Sequence, residues 1–146
     1  VMKRIFSVLC FCFLLSLLMP ETVLAASNVN GDTSNVDWNP VMNAIIQVES
    51  QGHQFAKNGN SCGVLQITPL LVRECNSILK RRKSKKKFKL SDRFNISKSK
   101  EMFLIIQSFY NPTNSIEIAI RTWNGGVHYS MARTQRYFEK VMRYIK

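Results

Sequence analysis

From Asn39 to the C-terminus the apolar residues recur at helical spacing, and no run of β-branched residues alternates with polar ones between turn signals. That pattern confines the chain to a mainly α fold of five helices. The first opens at Asn39-Pro40, with a capping residue and then proline at the first helical position. It carries Val41, Ala44, Ile45 and Val48 on one face up to Gly52. Thr68-Pro69 opens the second, whose stripe is Leu71, Val72, Cys75, Ile78 and Leu79. A third covers about Ser99 to Tyr110, stopped by Asn111-Pro112. The fourth has a capping-box-like start at Asn114 and Glu117 and ends at Gly125-Gly126. The fifth runs from about Ser130 to Ile145, with Tyr137, Phe138, Val141, Tyr144 and Ile145 on one stripe.

Ahead of these helices, Met2-Lys3-Arg4 precedes fifteen almost wholly apolar residues, Ile5 to Met19, and then Val23-Leu24-Ala25-Ala26. A basic start, a short apolar run and small residues form the secretory pattern, and the run falls short of the roughly 20 residues that span a bilayer. Residues 1–25 are therefore expected to be a signal peptide cleaved near Ala25, with export to the periplasm or beyond. Membrane contact would come only through an uncleaved segment. Residues 26–36 read as a flexible polar leader, and residues 37–146 as one domain. Losing Lys3, Arg4 and Glu21 changes the formal charge only from +12 to +11, so an anionic partner is favoured. Cys62 and Cys75, thirteen residues apart, can form a disulfide in an exported protein, or Cys75 can be a free core thiol. His53 and His128 lack ligand spacing to a cysteine pair, so no metal and no cofactor is expected. Between Lys80 and Lys89 eight of ten residues are cationic, which requires an exposed loop.

Glu49 is the carboxylate without an ordinary explanation. Asp37, Glu101 and Glu117 lie near helix starts, where the dipole favours them, and Glu74 and Glu139 lie among basic neighbours on helices. Glu49 instead ends its helix after Ile45, Ile46 and Val48, so desolvation and dipole both raise its pKa. A carboxylic acid held protonated in this way can donate a proton to a glycosidic oxygen. Alone, that reading loses to a solvated helical glutamate.

Four motifs in order alter the balance: Ile46-Gln47-Val48-Glu49-Ser50-Gln51-Gly52, Asn60 to Pro69 containing Gly63-Val64-Leu65-Gln66, Ala119 to Gly126 containing Trp123-Asn124-Gly125, and Tyr137-Phe138-Glu139-Lys140-Val141. Over residues 37–146 the chain resembles the soluble lytic transglycosylase domain of the lysozyme-like superfamily. The resemblance implies a single lysozyme-like helical domain with a substrate cleft, acting on the glycan strands of peptidoglycan. Glu49 would be the sole acid/base, and the muramoyl 6-hydroxyl would replace the second carboxylate that ordinary glycosidases need. Ser50, Gly63, Gln66, Trp123, Asn124 and Tyr137 would bind substrate, with Gly63 letting backbone approach the sugar. For Ser50 the competing role is a cap or a solvated side chain, for Asn124 a C-terminal cap, and for Tyr137 a core aromatic. The family often has tyrosine where this chain has Trp123, which offers only an N–H donor. Cys62 is also a departure.

The rival functions are a hydrolytic muramidase on the same fold and a non-catalytic basic module binding wall polymer or nucleic acid through Lys80–Lys89. Nucleic acid is not expected, because only Phe88 interleaves the basic run. Envelope-spanning secretion or conjugation machinery is a further partner class, since small transglycosylases often serve such assemblies.

Overall fold

The computed structural model describes residues 36–145. The expected signal peptide, its cleavage near Ala25 and the polar leader up to residue 35 lie outside the described residues. The described chain is mainly helical: α1 Asn39–Ser50, α2 Pro69–Arg81, α3 Ile96–Tyr110, α4 Ile116–Gly125 and α5 Met131–Met142, with a 3-10 helix at Leu90–Phe94. Among the described residues no helix is long and apolar enough to cross a membrane.

Local chemistry fixes where each helix starts. α1 begins one residue earlier than the Asn39 cap implies: Trp38 takes the cap position, and Asp37 Oδ1 accepts from both the backbone and side-chain nitrogens of Asn39 at 2.9 Å. α2 starts at Thr68-Pro69 as expected, the Thr68 hydroxyl accepting from Leu71 N. α3 begins at Ile96 rather than Ser99, because Asn95 Oδ1 caps Lys98 N. Nor does Asn114 cap α4. It adopts a left-handed φ of 53°, leaving Ser115 to cap Ile118 N, while Glu117 reaches forward one turn to pair with Arg121. α5 stops at Met142, and of its expected stripe Val141 is buried while Tyr144 is exposed.

A small sheet departs from the all-helical expectation. Lys57–Asn58 (β1) pairs antiparallel with Ser61–Cys62 (β2) across Gly59-Asn60, and Cys62 also bridges Ile67. Gly-Asn is a hairpin turn signal, but strands of two residues leave no alternation to detect.

Phe103 and Met102 of α3 occupy the core centre with Ile45, Leu65, Ile67, Ile78 and Ile120, all with essentially no exposure. Phe103 meets Trp38 edge-on at 5.9 Å and Trp123 at 5.1 Å, so one ring links the start of α1 to the end of α4. Burying such a ring contributes about 1.5–3 kcal/mol. A polar knot holds α5 onto α4. Buried Arg121 bonds Glu117 at 2.7 Å, Met131 O at 3.1 Å, Thr134 Oγ1 at 3.0 Å and Gln135 Oε1 at 2.7 Å, with its guanidinium 4.5 Å from the Phe138 ring. A partner for each of its three nitrogens is what makes the buried guanidinium tolerable.

The Lys80–Lys89 stretch is exposed as its charge requires, although Lys80 and Arg81 still belong to α2 and Phe88 is buried, its backbone N–H and C=O both bonded by the Asn76 amide. Cys62 and Cys75 are free buried thiols, not a disulfide. Cys62 stays on the hairpin, whereas the Cys75 thiol donates to the Met102 carbonyl of α3, and burial pushes its pKa up to about 12.

Candidate active site

Glu49 stands in the last turn of α1, which Gln51 (φ 52°) and Gly52 (φ 83°) end in left-handed conformations. It is half-buried, and its Oε1 accepts the Tyr137 hydroxyl at 2.7 Å from α5. Burial is the largest influence on its carboxyl and raises its pKa, while the Tyr137 hydrogen bond and the Lys140 charge lower it. The Tyr137 phenol is itself pushed far up, chiefly by burial and then by the negative charge of Glu49, so it remains a donor.

Tyr137→Phe should therefore raise the midpoint of the Glu49 carboxyl titration. The ring is kept, and one interaction favouring the charged form is lost. Carboxyl-carbon NMR checks this; an unchanged midpoint would show that the contact does not act on Glu49.

Glu49 opens into a cleft of about 540 Å³. Gln66, Trp123 and Asn124 line it with Glu49, joined by Asn58 and Ser61 of the hairpin. Gln66 holds a left-handed φ of 49°, and its Nε2 donates to Gly63 O at 2.9 Å and Ala56 O at 3.3 Å. Two carbonyl partners fix the amide's orientation and leave Oε1 as its acceptor for a ligand. Strain of this kind in a non-glycine residue is often found at functional sites. Asn124 is exposed and not used as a cap, because Gly126 N bonds Thr122 O instead. Trp123 backs onto Phe103 and forms an aromatic wall.

Three expected substrate contacts have other positions. Ser50 is buried; its hydroxyl donates to Val64 O at 2.8 Å and Ile46 O at 3.2 Å and accepts from Gly52 N, tying the end of α1 to the Gly63–Ile67 turn. Gly63 does not line the cleft, since its Cα side faces the carbonyl of Arg93. Tyr137 supports Glu49 without being part of the cleft wall.

The cleft also contains a pair that sequence reasoning missed. Glu74 of α2 accepts the Tyr110 hydroxyl of α3 at 2.6 Å, and both line the cavity. Their 36-residue separation left no local signal, and Glu74 looked like one carboxylate among basic neighbours. Among the described residues no group of three His, Cys, Asp or Glu could hold a metal ion.

Comparison with protein-family models, curated proteins and solved structures returned no match.

Proposed function

We propose that the chain is an exported peptidoglycan lytic transglycosylase with a lysozyme-like helical domain, cleaving the β-1,4 bond between N-acetylmuramic acid and N-acetylglucosamine. The observation that carries the reading is Glu49: a half-buried carboxyl with a raised pKa, supported by a buried phenol and opening into a cleft lined by an amide, an asparagine and an indole. Burial shifts the carboxyl in the direction a general acid requires, favouring its protonated form. Glu49 gives its proton to the glycosidic oxygen as the C1–O bond breaks. The resulting carboxylate takes the proton of the muramoyl 6-hydroxyl as that oxygen bonds to C1, leaving a 1,6-anhydro end, with no water consumed. Gln66 Oε1 and the Asn124 amide offer hydrogen bonds to sugar hydroxyl and acetamido groups, and Trp123 offers an apolar face to a ring.

Hydrolysis on the same site gains one supporting observation, because Glu74 is a second carboxylate in the cleft and a water-activating base needs one. The nucleic-acid reading loses ground: Phe88, the aromatic within the basic run, is buried and cannot stack on a base. Envelope-spanning machinery remains the partner class proposed beside peptidoglycan itself.

Mass spectrometry of purified peptidoglycan digested by the protein separates the first two readings. Anhydro ends are expected; fragments with reducing ends would replace the transglycosylase by a muramidase.

A further inference from the structure

Glu74 and Tyr110 take no part in the transglycosylase steps proposed above, yet they share the cleft. Glu74 lies about one turn beyond Leu70 and Leu71 on α2, and Tyr110 one turn beyond Ile106 on α3, so each wall runs from an apolar surface to a polar group. Leu70 is 66 % exposed on the cleft wall, an apolar side chain open to a ligand. The Tyr110 proton is committed to Glu74 Oε1, so what the pair offers a ligand is acceptors: Glu74 Oε2 and the phenol oxygen. Asp92, Glu101 and Glu117 are matched by Lys98, Lys86 and Arg121. Among the described residues Asp37, Glu49, Glu74 and Glu139 have no ion-pair partner, in a chain of 21 Lys and Arg against 9 Asp and Glu, and of these four Glu49 and Glu74 line the cleft. A carboxylate left unmatched amid such an excess of cations, at the end of an apolar-walled channel, suits a cation arriving from outside.

We infer that Glu74 and Tyr110 form a subsite for an aliphatic primary ammonium group, its methylenes lying along Leu70, Leu71 and Ile106. An ammonium carries three donors and no acceptor, the complement of this pair. Resting on the glycan reading, the ligand is a free amine on the peptide carried by the muramic acid, so the cleft selects strands whose amines have not been converted to amides.

Two measurements test this. On purified peptidoglycan, acetylating the free amines should raise the wild-type KM about tenfold with kcat unchanged. Glu74→Gln should raise KM on untreated strands to the same level and abolish the discrimination, with an unaltered thermal midpoint. Equal KM on both substrates, or a loss in kcat for Glu74→Gln, would overturn the subsite, the latter pointing to a base. Independently of any cleavage, millimolar Nα-acetyl-lysine amide should shift the Tyr110 ring resonances, and its Nε-acetylated form should not. If neither compound or both shift them, the ammonium site is wrong even where cleavage is confirmed. Shifts without cleavage would instead keep the site and remove the enzyme.

Discussion

Glu49→Gln is expected to lower release of glycan fragments by about 10³-fold, since one positioned acid/base group contributes typically 10² to 10⁴ and in the proposed reaction the same group acts in both halves. The substitution keeps size and shape, and a glutamine oxygen still accepts from the Tyr137 hydroxyl, so the loss is chemical. Stability should move the other way. Because the folded state raises the Glu49 pKa above its ordinary value of 4.5, the stability this residue contributes is fully present below that pH and is lost as pH rises through the folded value. At neutral pH the native carboxylate is therefore a liability that glutamine removes. The variant's thermal midpoint at pH 7 should be at least that of the native protein, and the gap should close in acid, below the ordinary value. Muropeptide release together with melts at both pH values checks the pair of effects. Undiminished release would sink the acid/base role, and a variant that melts lower at neutral pH would sink the desolvation argument.

Several of the fold's features were legible because they are local. Thr68-Pro69 announces α2 through a hydroxyl cap and a pre-set φ, and the apolar stripes of α1 and α2 are buried where their spacing puts them, apart from half-buried Val48 and Leu71. Boundaries failed where two polar residues competed for one cap: Asp37 satisfies the α1 start before Asn39 can, and Ser115 takes the role read for Asn114. The motif positions Glu49, Gln66, Trp123 and Asn124 do converge on one cleft. Spacing could not reveal which way each of the others turns. Ser50 is spent on Val64, fourteen residues away, and Cys75 points at Met102 instead of Cys62. Glu74 and Tyr110 meet across two helices, and Arg121 gathers partners from α4 and α5. Such contacts exist only after packing, so residue type and period carry little trace of them.

Gly63 is where the motif and the structure disagree most usefully, and Gly63→Ala should be the most damaging single-methyl change in the domain. Its φ of +77° already disfavours any side chain, at roughly 1–2 kcal/mol. A Cβ there would sit 1.8 Å from the Arg93 carbonyl oxygen and 2.9 Å from its carbon, both backbone atoms. That carbonyl cannot swing aside cheaply. It accepts the Ser99 hydroxyl at 2.9 Å, and the Arg93 guanidinium reaches back to Asn60 O at 2.9 Å and Ile67 O at 3.2 Å. The 3-10 helix and the Gly63–Ile67 turn would have to part, at a further 1–3 kcal/mol on the scale of ordinary overpacking. About 2–5 kcal/mol is expected in all, a large share of a small domain's stability. Gly59→Ala is the control. Its φ of +56° carries the same conformational cost, but nothing lies within 4 Å of its missing Cβ, so only that roughly 1–2 kcal/mol should be lost. Urea denaturation of the two variants separates them; equal losses would mean that the Arg93 contact is not what demands glycine. A larger loss at Gly63 assigns the glycine to holding the Gly63–Ile67 turn against the 3-10 helix. That turn positions Gln66, whose side chain grips the Gly63 carbonyl, so the glycine reaches the cleft through its neighbour rather than by touching sugar.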